Sequence, residues 1–178
     1  QNPGFIPGPT NIQDSVRKAC NMATIDHRSP AFARMFKPAV EGVRRVLKMT
    51  EGEVILIPST GTGGWEAAIS NTLSPGDTVL AARFGMFSHR WIDLCQRHRL
   101  DVEVIETPWG EGAPLAAIER ALKADRNHLI KAVLATHNET ATGVKSDIAG
   151  IRRAVEAAGH PALLFVDGVS SSASMPFG

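Results

Sequence analysis

The stretch IPSTGTGGWEAA, residues 57–68, decides the expected fold because two hydrophobic patterns meet in it. The apolar run Glu53–Ile57, which leads into it, predicts a buried strand, and the residues after it have the spacing of an amphipathic helix. A glycine-rich turn between them lies at the carboxyl end of the strand and the amino end of the helix. Free backbone amides and the helix dipole make such a turn an anion site, so we expect it to bind a phosphate group.

Two common phosphate motifs do not fit this turn. A P-loop requires a lysine directly after its last glycine, and Trp65 follows Gly64 here. A dinucleotide fingerprint that begins at Gly61 and Gly63 would need a third glycine where Glu66 stands. A carboxylate in that first helical turn would repel a pyrophosphate, so the sequence favours one compact phosphate group.

The rest of the chain continues the alternation of strands and helices. Short, continuous apolar runs are typical of strands in a parallel sheet that is covered by helices on both faces. The sequence therefore predicts a doubly wound α/β fold, with residues 1–52 as an N-terminal arm and helix and residues 53–178 as the sheet domain. In the helical pattern over Phe32–Leu47, we expect Pro38 to kink the helix or to mark a restart. The expected strands are EVILI, TVLAA, DVEVIE, IKAVLAT and ALLFVD.

Composition and charge narrow the classes of partner. The chain has 178 residues, of which 43% are hydrophobic and 21% charged, as expected for one globular domain with a full core. With 19 basic and 18 acidic residues and no basic run, neither nucleic acid nor a membrane is an expected partner. We expect a cytoplasmic protein in which Cys20 and Cys95 are free thiols, and no metal site, because neither histidines nor cysteines have ligand spacing.

Polar and aromatic side chains follow the ends of the predicted strands. Because ligands bind outside the carboxyl ends of parallel strands, these residues are candidates for one site. The set suits a flat, phosphorylated, heteroaromatic cofactor, and pyridoxal phosphate fits every part. The phosphate would lie on the Gly61 turn, Phe87 would stack on the ring, and Thr140 would bind a ring substituent. Asp167 would keep a pyridine nitrogen protonated, which makes the ring an electron sink.

Several motifs give the chain a specific resemblance. Together they resemble the class V, fold type I, pyridoxal phosphate aminotransferases, and within them the serine-, alanine- and aspartate-glyoxylate aminotransferase group. The resemblance implies the large domain of that fold, with a mostly parallel central sheet, and a homodimer. The motifs are PGPTN, DHRSPAF, STGTGGWE, GMFSHRWID, THNETATGV and LFVDGVSS.

The resemblance also implies roles for individual residues. Thr60, Gly61 and Thr62 would bind the cofactor phosphate, and Phe87 and Val169 would contact opposite faces of the ring. The remaining roles are a contact near the phenolic oxygen for Thr140, the pyridine-nitrogen partner for Asp167, and a loop beside the substrate for Pro7, Gly8 and Pro9.

The lysine and the substrate-binding arginine of this family lie downstream of the DGVSS motif and are not matched in this chain. We therefore expect the chain to be an N-terminal portion of a longer enzyme, with the small domain outside it. The expected reaction transfers an amino group from a small amino acid to glyoxylate, with serine or aspartate as leading donors and alanine next. Arg28 is the candidate cation for a second substrate carboxylate, and a structural salt bridge is its alternative role.

Other interpretations of these residues stay open at this stage. Asp167 could cap the next turn, Phe87 could be ordinary core, and the hydroxyls of Thr140 and Thr142 could satisfy turn backbone groups. A class V cysteine desulfurase is the alternative enzyme, although that family stacks a histidine where Phe87 stands. A phosphate-binding module without catalysis is the non-enzymatic alternative.

Overall fold

The structure is a computed structural model that describes residues 6–176. Its contacts divide these residues into two compact units, one that ends at Leu56 and one that begins at Ile57. The first unit contains helices α1 (Asp14–Cys20) and α2 (Pro30–Val46). Ser29 caps α2, because its hydroxyl accepts a hydrogen bond from the amide of Phe32 at 3.4 Å.

Helix α2 runs through Pro38 without a break. The predicted restart is therefore wrong. Proline lacks one amide donor and crowds the preceding turn, but the helix continues on both sides of Pro38 over 17 residues. The rings of Phe32 and Phe36 stack on one side of it, with centroids 5.4 Å apart.

The second unit contains a sheet of four parallel strands, β1 (Thr78–Arg83), β2 (Asp101–Glu106), β3 (Ile130–Thr136) and β6 (Leu163–Asp167). Their order in the sheet is β2-β1-β3-β6. The helices are α3 (Gly61–Thr72), α4 (Met86–Arg97), α5 (Leu115–Ala124) and α6 (Ile148–Ala157). The predicted α/β class with a parallel sheet is confirmed.

Alternate residues of the central strands pack into two separate cores. In β1, Val79 and Ala81 join a cluster with the buried residues of α3 and α4, whereas Leu80 joins a cluster with α5 and α6. The sheet therefore carries helices on both faces, as the sequence predicts.

The strand predicted over Glu53–Ile57 is wrong. These residues form no strand, and the side chains of Ile55 and Ile57 are 78% and 52% exposed. An apolar, β-branched run supplies side chains for a sheet, but a strand also needs a neighbour that accepts and donates its backbone hydrogen bonds. No described residue provides that neighbour.

A short hairpin that the sequence does not predict follows β3. It consists of β4 (Asn138–Glu139) and β5 (Val144–Lys145), which pair in antiparallel fashion. Gly143, with φ of 73°, occupies the left-handed region in its turn. Two-residue strands are too short to show a hydrophobic period, which is why the hairpin escapes sequence analysis.

Within residues 6–176, none of the helices has both the length and the apolar character that are needed to span a bilayer.

Candidate functional site

The carboxyl edge of the sheet brings the candidate residues together. Thr136, the last residue of β3, pairs with Asp167, the last residue of β6. The backbone continues this pairing, since the amide of His137 donates to the carbonyl of Asp167 at 3.0 Å. Helices α3 and α4 begin at this same edge, so the positive ends of two helix dipoles point toward it.

A cleft of about 430 Å³ opens between the start of α3 and the end of β6. Three residues that the sequence nominates for one site, Gly61, Asp167 and Val169, line it together. They belong to segments more than a hundred positions apart in the sequence, so only the fold brings them to one place. The other lining residues are Gly64, Trp65, Ala68, Trp91, Leu164, Phe165, Val166 and Gly168.

The amino end of α3 presents free amides to solvent. Thr60 caps the helix, and its hydroxyl accepts from the amide of Gly63 at 3.4 Å. The amides of Gly61 and Thr62 donate to no acceptor among the described residues. Glycine at 61 is required for close packing, because a Cβ there would lie 2.9 Å from Cγ2 of Val169. An anion at this end would meet unpaired N–H donors.

The amino end of α4, in contrast, is already occupied by a protein carboxylate. Glu139 accepts hydrogen bonds there from the amides of Phe87 and Ser88 and from the Ser88 hydroxyl, at 3.0–3.2 Å. Of α3 and α4, α3 is therefore the one that can offer its first-turn amides to an external anion.

Asp167 is a buried carboxyl group with few protein partners. Asp167 is only 8% exposed, and its Oδ1 accepts a hydrogen bond from the amide of Val169 at 2.9 Å. Burial raises the pKa of Asp167, and the charge of Glu139 adds to this; the amide of Val169 and the side chain of Trp65 act in the opposite direction. A cationic N–H group beside it would favour its charged form.

Two tryptophans that the sequence does not nominate for a site form one wall of the cleft. The rings of Trp65 and Trp91 stack with centroids 5.4 Å apart and planes 9° from parallel. Trp65 lies near the carboxyl group of Asp167, but its buried Nε1, like that of Trp91, makes no hydrogen bond within ordinary limits to the described residues. Both tryptophans are also buried residues of the core between the sheet and helices α3 and α4.

Phe87 and Thr140 do not line this cleft. Phe87 is partly buried against the core between the sheet and helices α3 and α4, and the guanidinium of Arg90 lies 5.8 Å from its ring centroid. The hydroxyl of Thr140 donates to Ser170 Oγ at 2.9 Å, while Thr142 Oγ1 donates to the carbonyl of Glu139 at 3.4 Å. In the structure, Phe87 therefore packs against the core, and the hydroxyls of Thr140 and Thr142 hydrogen-bond to nearby groups. These roles are compatible with a ligand contact.

The candidate substrate residues belong to the first unit. Pro7, Gly8 and Pro9 are exposed. The backbone amide of Arg28 donates to the Asp26 carboxylate at 2.9 Å, but the Arg28 side chain has no salt bridge to a described carboxylate. The alternative role of Arg28 as a structural ion pair is therefore not seen in this part of the chain.

Comparisons with known proteins place these features in a family. The aminotransferase class-V family matches residues 12–178. The chain is 71% identical to the L-aspartate–glyoxylate aminotransferase of Paracoccus denitrificans over 177 residues, which cover 99% of this chain and 45% of that protein. It is 59% identical to the serine–glyoxylate aminotransferase of Methylorubrum extorquens, over 97% of this chain and 43% of that protein.

A solved structure shows the same fold. The alanine–glyoxylate aminotransferase of Nostoc sp. is 32% identical and superposes with a TM-score of 0.88, over 97% of this chain and 44% of that one. The described fold is accordingly that of the fold type I enzymes. The chain spans less than half the length of the curated relatives that it matches. The family match covers nearly the whole sequence, and the chain belongs to the aminotransferase class-V family.

Proposed function

We propose that the complete protein that carries this chain is a pyridoxal phosphate-dependent aminotransferase that converts glyoxylate to glycine. A small amino acid supplies the amino group and leaves as its oxo acid. The names of the two relatives described above give aspartate and serine as the amino donors, and both names give glyoxylate as the acceptor. Aspartate and serine are therefore the leading donors, with alanine next.

One observation carries the proposal: the cleft that contains the open amino end of α3 also contains the buried carboxyl group of Asp167. A phosphate ester requires N–H donors, and a protonated pyridine nitrogen requires a carboxylate. The N–H donors of α3 and the carboxyl group of Asp167 lie in one cleft. The side chain of Val169, which is 71% exposed, also lines this cleft and could contact a flat ring. These residues fit pyridoxal phosphate.

The residues of the chain would divide the work of holding the cofactor. The amides of Gly61 and Thr62 and the Thr60 hydroxyl would bind its phosphate. Asp167 would hold a proton on the ring nitrogen: burial disfavours a lone charged Asp167, and the protonated ring nitrogen would be the cation that favours its charged form. When bound, the cofactor withdraws electrons from the α-carbon of an attached amino acid, which is the electronic requirement of transamination. Phe87 and Thr140 remain proposed ring contacts.

The test of the cofactor is direct. The complete protein, purified with pyridoxal phosphate, should show a visible absorbance band with induced circular dichroism, and Asp167→Asn should weaken both turnover and the band. Asp101→Asn, at an exposed position on β2, is the matched control. Unchanged turnover in the Asp167→Asn enzyme would remove the central residue of the proposal.

The donor requires a second experiment. Glycine formation from glyoxylate should be measured with serine, aspartate and alanine as separate donors. If Arg28 binds a second carboxylate, Arg28→Ala should raise the KM for aspartate about tenfold or more and leave the KM for serine unchanged, because only aspartate has that group. Equal effects on both donors would exclude this role.

We further propose that the protein acts as a homodimer, as the resemblance to this group implies. Helix α2 supports this, since apolar side chains such as Met35 and Phe36 are 46% and 37% exposed and are available to a second surface. Light scattering of the complete protein should give twice the mass of one polypeptide.

A further inference from the structure

The carboxylate of Glu139 is the most completely paired acidic group at the carboxyl edge of the sheet. Glu139 is 0% exposed. Oε2 accepts from the amide of Ser88 at 3.0 Å and from its hydroxyl at 3.1 Å, and the amide of Phe87 is shared between both oxygens at 3.1 and 3.2 Å. Oε1 also accepts from the amide of Ala141 at 3.3 Å. One side chain therefore joins the amino end of α4 to the β4–β5 hairpin.

The residue at position 85 makes room for this carboxylate. A Cβ on Gly85 would overlap Cγ and Cδ of Glu139. The φ of Gly85 is 174°, an extended conformation open to any residue, so space and not backbone conformation requires glycine here. The close approach of the Glu139 carboxylate to α4 therefore requires two residues, Glu139 itself and the glycine at position 85.

Ser170 continues the network to the loop after β6. Its hydroxyl oxygen accepts from Asn138 Nδ2 and from Thr140 Oγ1, each at 2.9 Å, and it donates to the carbonyl of Asn138 at 3.2 Å. The loop that contains Val169 is thereby tied to the same hairpin that Glu139 ties to α4. Three segments that carry proposed cofactor contacts share one hydrogen-bond network.

We propose that Glu139 is a positioning residue, which holds Phe87 and Thr140 in register with the Asp167 loop so that a cofactor ring meets all three. This inference rests on the proposed function. Glu139 acts on Phe87 through the Phe87 amide and on Thr140 as its neighbour in the chain. Buried polar groups that lose a partner are costly, so the network holds one arrangement of these segments. A helix cap alone would stabilise α4 and leave ligand geometry unaffected.

The experiment compares Glu139→Gln with the wild type in the complete protein. Glutamine replaces one acceptor oxygen of the carboxylate with an NH2 group, which donates and cannot accept the hydrogen bonds made to that oxygen. In the cofactor-free protein, hydrogen exchange at the amides of Phe87, Ser88 and Ala141 should speed up about tenfold or more, because these donors face the changed group. With cofactor, the Kd for pyridoxal phosphate should rise about tenfold, and the induced circular dichroism should weaken, because the ring contacts lose their register.

Asp147→Ala is the matched control. Asp147 also caps a helix, since its carboxylate accepts from the amide of Gly150 at 2.8 Å at the start of α6, but it contacts none of the proposed cofactor residues. It should lower the melting temperature without changing the Kd for pyridoxal phosphate. If Glu139→Gln changes hydrogen exchange and stability but leaves the Kd and the dichroism at wild-type values, Glu139 is only a cap and the proposal is wrong.

A milder variant covers the case in which Glu139→Gln does not fold. Ser88→Ala removes the hydroxyl whose proton is shared between Oε2 and the carbonyl of Gly85, and which accepts from the amide of Phe84. It should change the exchange and the Kd in the same direction, by about twofold. No change in either quantity would overturn the proposal. The proposed function fails separately, if the wild-type protein binds no pyridoxal phosphate or forms no glycine, while hydrogen exchange of the cofactor-free protein still decides whether Glu139 joins the segments.

Discussion

At the scale of single residues, the carboxyl edge of the sheet contains two buried carboxyl groups that differ in how many hydrogen bonds they accept from the protein. Glu139 receives hydrogen bonds at both oxygens from α4 and from its own hairpin. Asp167 receives an amide hydrogen bond from Val169 and faces the cleft. The first group is satisfied by the protein itself, whereas the second retains acceptor capacity for a ligand. This difference, and not acidity alone, separates a structural residue from a candidate cofactor residue.

The raised pKa of Asp167 leads to a stability prediction for the cofactor-free protein. Burial makes the folded state hold the carboxyl proton more tightly than the unfolded chain does. Stability therefore falls as pH rises above the ordinary aspartate pKa of ~3.9 and through the folded value. Asp167→Asn should raise the free energy of unfolding at neutral pH by about 0.5–2 kcal/mol and change it little near pH ~3.

Denaturant unfolding of the cofactor-free complete protein at several pH values checks this, with Asp101→Asn as the surface control. A loss of stability in Asp167→Asn at neutral pH would mean that the carboxylate already has a strong partner in the protein. The same substitution is expected to lower turnover, so the residue would be one at which stability is sacrificed for function.

At the scale of elements, the contrast between α3 and α4 explains where an anion can bind. Both helices begin at the carboxyl edge, but a residue from the β4–β5 hairpin covers the amino end of α4. The cap of α3 comes from Thr60, a single hydroxyl at 3.4 Å, which leaves the amides before Gly63 unpaired among the described residues. The amino end of a helix is thus an anion-binding site only where no protein group already occupies its first-turn amides.

Gly61→Ala tests the packing at the start of α3. The new methyl group would lie 2.9 Å from Val169 Cγ2, so the side chain of Val169, a proposed ring contact, must shift. Alanine favours helix, and we therefore expect the fold to remain and the Kd for pyridoxal phosphate to rise about tenfold. Gly112→Ala, whose methyl group would meet its nearest neighbour at an ordinary 3.5 Å, is the control for a glycine-to-alanine change. Fluorescence titration with the cofactor measures both, and equal Kd values would contradict the proposed role of this packing.

At the amino edge of the sheet, Asp125 links the end of α5 to the start of β3 and to the segment before β6. Its Oδ2 accepts from the amide of Ile130 at 2.7 Å and from Nε2 of the buried His160 at 3.2 Å. His160 donates through Nε2 because its Nδ1 accepts from the amide of Ala162 at 3.2 Å. Burial would raise the pKa of Asp125, but the amides of Ile130 and Leu129 and the side chain of His160 outweigh it and lower the pKa.

Asp125→Asn should destabilise the protein at neutral pH by about 1–3 kcal/mol, because a charged acceptor at the junction of α5, β3 and β6 is lost. The folded pKa lies below the unfolded value, so the contribution of Asp125 is present above the unfolded pKa and disappears as pH falls through the folded one. The difference between the two proteins should therefore shrink on acidification. A constant difference from neutral to acidic pH would show that the charge of Asp125 is not its cause.

At the scale of the whole molecule, binding at the carboxyl edge should couple to stability. A ligand that binds only the folded state at about 100 times its Kd adds ~2.7 kcal/mol to the free energy of unfolding. Pyridoxal phosphate should accordingly raise the melting temperature of the complete protein, and removal of the cofactor should reverse this.

Pyridoxal without its phosphate is the informative comparison. It keeps the ring that Asp167 would face and lacks the group that the amides of α3 would bind, so the rise in melting temperature should be clearly smaller. Differential scanning calorimetry with each compound and with inorganic phosphate alone measures the contributions. Equal stabilisation by both aldehydes would exclude the amino end of α3 as the phosphate site.

The sequence by itself determined the local features of this protein. Continuous apolar runs such as Ile130–Thr136 predicted parallel strands, because a strand that is buried on both faces needs apolar residues at every position. The glycine-rich turn around Gly61 predicted that a helix begins there with free amides, because glycine lets the backbone approach a ligand closely and the first amides of a helix have no partner within it. Asp167 could be nominated because it follows directly on a strand of that kind.

Only the tertiary structure decided which of these features have partners. It showed that Glu53–Ile57, apolar as it is, forms no strand, and that the amino end of α4 is closed by Glu139, which is 52 positions away from Phe87 in the sequence. It also placed Gly61 and Asp167 on one cleft. The physical reason is the same each time: hydrogen bonds and packing between distant segments depend on distances in space, which local patterns of residue type do not contain.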